Sequence, residues 1–367
     1  MTINHKLPLE SLLYCSAPMV NQSDLSFRLQ TVQHGATSTW TQMYLAGDLN
    51  TSQDTLDSLL LSLTLGNSAP ENTIRDSTHP LFGQPAPQIV QIAGNNAQEL
   101  AEAARRVAQH ADAIDLNLGC PQRHAEQGHY GAYLLPKQNW PLLAQLVSTL
   151  AQAVDVPITT KIRLTVPKEQ TPDLAVMLAR AGSSLVTLHP RFASSVRRRK
   201  GLADLDMVVR VKDALHREGL LRCPDQPSGD TAVVSNGNVR CWDDIPSNLQ
   251  MTGASGVMVG ETLLENPALF RGSLNEADRI DGGGRAELER AKMAREYLEL
   301  RDKYEALDAP VKIANQHLQW MLGSIPCTPI LDAEELAKVH RRAAFITQTI
   351  KRIHTEEHLI QFRNQHL

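Results

Sequence analysis

Eight short runs rich in β-branched and apolar residues recur between Leu12 and Val259, most of them separated by stretches with helical spacing. They are Leu12–Ala17, Thr37–Met43, Gln88–Ala93, Ala113–Leu118, Ile158–Leu164, Leu185–His189, Thr231–Ser235 and Gly256–Val259. Parallel strands need a crossover, usually a helix, to reach one another. Strand–helix alternation of this length predicts an α/β fold, a (β/α)8 TIM barrel. A doubly wound sheet is the alternative, but the G-x-G-x-x-G turn that commonly opens one is absent.

Helices are expected over Ala97–Gln109, Trp140–Val154, Pro172–Ala181 and Asp206–Glu218. The third begins with proline, whose fixed φ suits a first helical turn. Asn50–Pro87 is long and mixed, with a helix-like Leu56–Leu65, and Arg222–Asp230 reads as a surface insertion. After Phe270 the pattern changes. Gly282-Gly283-Gly284 is a break, and Ala286–Leu307, Val311–Leu322 and Ala333–His354 have helical spacing with no strand signal. The expectation is a barrel domain over residues 1–283 followed by a small all-helical domain over 284–367.

A chain of 367 residues can hold one large domain and a smaller one. Its 42% hydrophobic and 21% charged content is that of a soluble globular protein. The five cysteines are scattered and include no C-x-x-C pair, which argues against a zinc site and for reduced thiols. Met1–Glu10 has no apolar core of a secretory signal. A cytoplasmic protein is expected, with the nucleus left open. The net charge of -4 excludes a chain that is basic throughout. Local excesses remain. Arg191–Arg222 holds nine Lys/Arg against four Asp/Glu, and Lys338–Leu367 holds six against two. Such patches serve nucleic-acid binding, although a solvated face is the ordinary reading of either one.

The C-terminal ends of barrel strands are where this fold places its chemistry. The first run ends in Ala17-Pro18-Met19, the third offers Gln91, and the fourth leads through Asn117 to Cys120. Lys161 and Arg163, two apart, share one side of the fifth. The sixth offers His189 and Arg191, the seventh Asn236-Gly237-Asn238, and the eighth Gly260-Glu261. Lys161 interrupts an apolar strand, where an unpaired ammonium is costly. Such a charge suits an anion that develops on a bound ring. The turns after the seventh and eighth strands suit a phosphate held by backbone N–H groups. Cys120 could be a nucleophile, a general acid or a packed thiol. No histidine is placed by sequence as its base, and a thiol near its free pKa donates a proton at neutral pH, so the acid role needs fewest assumptions.

These segments resemble the tRNA-dihydrouridine synthases, flavin enzymes that reduce uridine in tRNA. The resemblance runs through Ala17-Pro18-Met19 with Asp24 and Phe27-Arg28, Ile89-Val90-Gln91, Asp115 to Pro121, Gly128-His129-Tyr130-Gly131-Ala132, Lys161-Ile162-Arg163, His189, Ser235 to Asn238 and Gly256-Val257-Met258. Asn117 to Gln122 and Gly128 to Gly131 look most like the eukaryotic branch that modifies D-loop uridines sixteen and seventeen. His317 to Met321 resembles the start of that family's helical tRNA-binding domain.

The resemblance implies FMN lying across the strand ends, with NADPH or NADH as reductant. Ala17, Pro18, Met19, Gln91 and Lys161 would meet the ring end. His189, Asn236, Gly237, Asn238, Gly260 and Glu261 would meet the ribityl-phosphate end. Hydride would pass from flavin N5 to uracil C6, with Cys120 protonating C5 and Asn117 and Arg163 orienting the base. The partner would be tRNA, bound by a monomer, with Arg197-Arg198-Arg199-Lys200 and the helical domain as holds. Three positions depart from the family pattern: Pro190 within His189-Pro190-Arg191, Gln42 within Thr41-Gln42-Met43, and Glu261 where many relatives have arginine. An acidic Glu261 cannot neutralise a phosphate, so only its backbone N–H could serve. A small-molecule flavin reductase, such as one acting on free uracil or dihydroorotate, is the rival enzyme. A tRNA-binding folding helper is the rival of another class.

Overall fold

A computed structural model describes residues 6–193, 201–223, 226, 228–272, 284–304, 308–323 and 344–367. Arg197–Lys200, most of the glycine break and the first half of Ala333–His354 lie outside the described residues, as does part of Arg222–Asp230.

The eight strands form a closed parallel barrel in chain order, and the last pairs back to the first. They are β1 (Tyr14–Ser16), β2 (Ser38–Leu45), β3 (Gln88–Ala93), β4 (Ala113–Leu118), β5 (Ile158–Leu164), β6 (Ser183–Phe192), β7 (Ala232–Asn236) and β8 (Gly256–Val259). Closure leaves no exposed sheet edge.

β3, β4, β5 and β8 have the bounds expected from their apolar runs; the others differ at their ends. Leu12 closes a 3-10 turn, Leu9–Leu12, so β1 starts later. Ala17 N–H still donates to the Val259 carbonyl at 2.9 Å before Pro18, which has no donor, ends the pairing. β6 runs past His189 because its register with β5 slips there: Arg163 faces His189 while the next residue, Leu164, faces Phe192. That irregularity absorbs Pro190, as bulges do, and re-aims Arg191.

Period-two alternation separates two cores. Cys15, Ile89, Ala113, Leu185, Val234 and Met258 fill the barrel interior. Val90, Ile114, Leu116 and Ile162 face outward against helices through Leu100, Leu146 and Leu174. The inward series continues toward the C-terminal mouth as polar residues: Asp115 and Asn117 above Ala113, and Thr187 and His189 above Leu185.

The helices form at Gln53–Ser68, Ala97–Val107, Trp140–Ala153, Thr171–Arg180 and Asp206–Arg217. Asn96 caps the second of these, its carboxamide oxygen accepting from the N–H groups of Gln98 and Glu99.

Beyond the barrel, Gly284–Lys303 and Val311–Gly323 are helical, as their spacing predicts, and Glu356–His366 is a further helix that the spacing did not reveal. Met293, Tyr297 and Leu318 from these helices share one apolar cluster with Phe27, Val32 and Leu263 of the barrel. Within that contact the Asp24 carboxylate caps the helix Leu25–Gln33 and also pairs at 2.6 Å with His317 Nε2, both side chains buried.

Candidate active site

The turn after β4 is held from three sides. Asn117 Oδ1 accepts from the N–H groups of Gly119 at 3.0 Å and Cys120 at 2.9 Å. Arg163 Nε donates to the Gly119 carbonyl at 2.8 Å. Ala132 N–H donates to the Cys120 carbonyl at 3.1 Å. Gly131 makes this close approach possible. Its φ is +64°, and a Cβ there would lie 2.9 Å from the Cys120 carbonyl oxygen.

Burial pushes the Cys120 thiol above its ordinary range, against the Gln122 backbone and the charges of Arg163 and Lys161. The thiol therefore stays protonated at neutral pH, the state of an acid and not of a nucleophile. No histidine serves it as a base among the described residues. His124 Nδ1 pairs instead with the Tyr130 hydroxyl.

Behind the turn runs a chain of side chains. Asn117 Nδ2 donates to Gln91 Oε1 at 2.8 Å, and Gln91 Nε2 donates to Asp115 Oδ2 at 2.7 Å. Thr159 Oγ1 donates to the other oxygen of Asp115 at 2.6 Å. Burial raises the Asp115 carboxyl to about 6, although those bonds and the nearby Lys161 charge pull it down. Lys161 stands beside Asn117 in register and is half-buried. Burial first, then the neighbouring Arg163, lowers its ammonium to about 8. At pH 7 it is still mainly charged.

His189 is pushed well below its ordinary range by burial and by Lys161, Arg163 and Arg191. Its ring is neutral, and Nε2 accepts from Arg191 Nη1 at 3.2 Å. Arg191 also reaches Asn238 Oδ1 at 3.4 Å and is drawn toward the Glu261 charge. On this inward side of β6, Thr187 Oγ1 and Arg191 Nε are buried without a protein partner.

The remaining candidates close the arc. Asn236 Nδ2 donates to the Met258 carbonyl at 2.7 Å. Gly237, at φ +142°, has no room for a Cβ, which would lie 2.8 Å from that of Ala203. Asn238, at φ +58°, exchanges two 2.8 Å bonds with the Ala203 backbone, so its side chain staples the β6 loop to the β7 turn. A Cβ on Gly260 would meet Met19 Sδ at 3.3 Å and Ala17 Cβ at 3.5 Å, so the β8 turn abuts Ala17-Pro18-Met19. All the candidate positions thus gather at one mouth. Arg191, offered from sequence beside His189, lies there too, and Asp115, Gly131 and Thr187 join them without having been given a role from sequence. Asp115 interrupts an apolar strand just as Lys161 does, and that signal could have found it.

The mouth is cationic: Lys161, Arg163, Arg191 and Arg240 act on one another there, with Asp115 and Glu261 as counter-charges. Orphaned donors, a glycine turn without Cβ room and excess positive charge suit a large anionic ligand with a polar ring.

The dihydrouridine synthase family model matches residues 15–355. The chain belongs to the dihydrouridine synthase family. It is 34% identical over 256 residues to a mouse "tRNA-dihydrouridine(16/17) synthase [NAD(P)(+)]-like" protein, covering 70% of this chain and 47% of that one. The Saccharomyces cerevisiae tRNA-dihydrouridine(16/17) synthase is 33% identical, with 69% and 53% covered. A human tRNA-dihydrouridine(20a/20b) synthase-like protein is 31% identical, with 71% of each covered. The chain thus spans about half the length of the mouse and yeast relatives. Among solved structures, a 2-naphthoyl-CoA reductase aligns with a TM-score of 0.51 at 11% identity, over 74% of this chain and 51% of that one, a likeness of fold alone. Within the dihydrouridine synthase family, the Cys120 turn and the cationic mouth of this chain are the parts with evident chemistry.

Proposed function

We propose that this chain is an FMN-dependent tRNA-dihydrouridine synthase that reduces uridine to 5,6-dihydrouridine in the tRNA D-loop, with NADPH or NADH as reductant. The observation that carries the reading is the position of Cys120, in a turn that Asn117 and Arg163 hold at the barrel mouth near Lys161, in a chain of this family. When bound, FMN supplies the hydride for uracil C6. Lys161, with Ala17-Pro18-Met19 and Gln91, would hold the ring end, and its ammonium would stabilise negative charge there. His189, Arg191 and the Asn236–Asn238 and Gly260–Glu261 turns would hold the phosphate end.

The residues of the chain do the rest. The target uridine must leave its stack to enter the mouth. The second Nδ2 hydrogen of Asn117 and the Nη2 group of Arg163 are the donors left to orient its carbonyls. Cys120 Sγ gives its proton to C5, and the cations beside it stabilise the thiolate that remains. Residues 284–367 would act as a tRNA-holding domain beside the barrel over 1–283, with one tRNA per monomer. The names of the mouse and yeast relatives favour positions 16 and 17 as targets.

Two measurements test this. Purified protein should show flavin absorbance in the visible range, and tRNA from cells lacking it should lose D-loop dihydrouridine. A colourless protein that FMN cannot reconstitute would end the flavin reading, and unchanged dihydrouridine would end the tRNA reading.

A further inference from the structure

Asp115 has no part in the steps above, yet it is wholly buried at the foot of the polar layer. We propose that Asp115 is a positioning residue: it sets the orientation of the Gln91 and Asn117 carboxamides and through them holds the Gly119–Cys120 turn in place.

A carboxamide can be turned over at almost no cost in shape, because its oxygen and its NH2 group are nearly the same size. An ionised carboxylate has no such freedom, because it only accepts. Asp115 therefore makes Gln91 point its NH2 group inward and its oxygen toward Asn117. Asn117 must then give its NH2 group to Gln91 and keep its oxygen for the N–H groups of Gly119 and Cys120. With a proton on Oδ2, Asp115 could donate instead. Both amides would then turn, and the Asn117 NH2 group would oppose two backbone donors. The turn that carries the thiol would lose both anchors.

The groups packed on Asp115 support this assignment. Lys161 of β5 is the charged side chain facing it, Thr159 donates from the same strand, and β3 and β2 contribute neutral Gln91 and Trp40. Lys161 favours the ionised carboxylate, and a network polarised from one end is stronger than separate bonds.

The inference rests on the reading of Cys120 as proton donor for its meaning in turnover, but its test does not. The test is hydrogen exchange of the Gly119 and Cys120 amides in the holoprotein, with iodoacetamide labelling of Cys120 and exposed Cys241 as internal control. Asp115→Asn keeps the shape and removes a buried charge, so it should fold, and with Thr159 Oγ1 still donating to its oxygen its NH2 group faces Gln91. It should exchange these amides roughly tenfold faster, the effect of losing about one hydrogen bond, and label Cys120 faster while Cys241 is unchanged.

The decisive variant is Asp115→Asn with Asn117→Asp. An acid at position 117 can only accept from the turn, and Gln91 can turn over to join Asn at 115. The pair should restore slow exchange. A packing role for Asp115 would gain nothing from the second change. Wild-type exchange in Asp115→Asn, or a double variant no better than the single, overturns the proposal. Both readouts stand even if no dihydrouridine is formed by the wild type.

Discussion

At the scale of the residue, the site is defined by charge states that its surroundings hold away from solution values. The Asp115 carboxyl sits near 6 and the Lys161 ammonium near 8. The roles proposed for them need the first ionised and the second protonated. Uridine reduction should therefore fall as pH drops through about 6 and again as it rises through about 8. Lys161→Arg, which keeps its charge far above this range, should remove the alkaline limb in a kcat/KM profile if it still binds flavin. An alkaline limb unchanged in that variant would mean that another group titrates. Gly131 gives a second prediction. Alanine there must adopt a positive φ and push against the Cys120 carbonyl, at a cost of about 1–2 kcal/mol in urea unfolding. Much of the site could be read as a set from sequence, because Lys161, Arg163 and His189 are polar residues closing apolar strands. Gly131 could not, because its need for glycine arises from a contact with Cys120 made only in the folded chain. That the Asn238 carboxamide bonds the Ala203 backbone was likewise not visible in the sequence.

At the scale of the element, the strands were legible because each is a short run rich in β-branched and apolar residues, closed by polar or small ones. β6 was foreshortened because Pro190 reads as a terminator, while the register slip beside β5 accommodates it. The junction of the two helical layers had no sequence signal at all. Asp24 and His317 meet across 293 positions. Removing His317 would leave Asp24 Oδ2 buried with only the 3.5 Å Tyr297 hydroxyl as a second partner. His317→Ala should cost about 2–4 kcal/mol in denaturant unfolding. A change below half a kilocalorie would show that the pair adds nothing to the junction.

At the scale of the molecule, three features act together. A closed barrel presents one cationic mouth, a helical layer packs against the first barrel helix, and the β1 loop lies between them. Gln22 of that loop bonds Gln316 of the helical layer at 2.6 Å, while Met19 of the same loop abuts Gly260 at the mouth. A tRNA held by the helices would thus lie next to the site that takes its base. A slightly acidic chain can still carry this cationic mouth, because Lys161, Arg163, Arg191 and Arg240 are gathered there.

The central claim is that Cys120 completes the reduction of a tRNA uridine. Its most direct test is a single turnover in which anaerobically reduced protein meets tRNA that lacks dihydrouridine, with product mapped at positions 16 and 17, the sites named for the relatives. Wild-type protein should form dihydrouridine there, and Cys120→Ala should keep its flavin while forming product roughly 10²- to 10⁴-fold more slowly. Product formed at the wild-type rate by Cys120→Ala, or none formed by the wild type, would contradict the account.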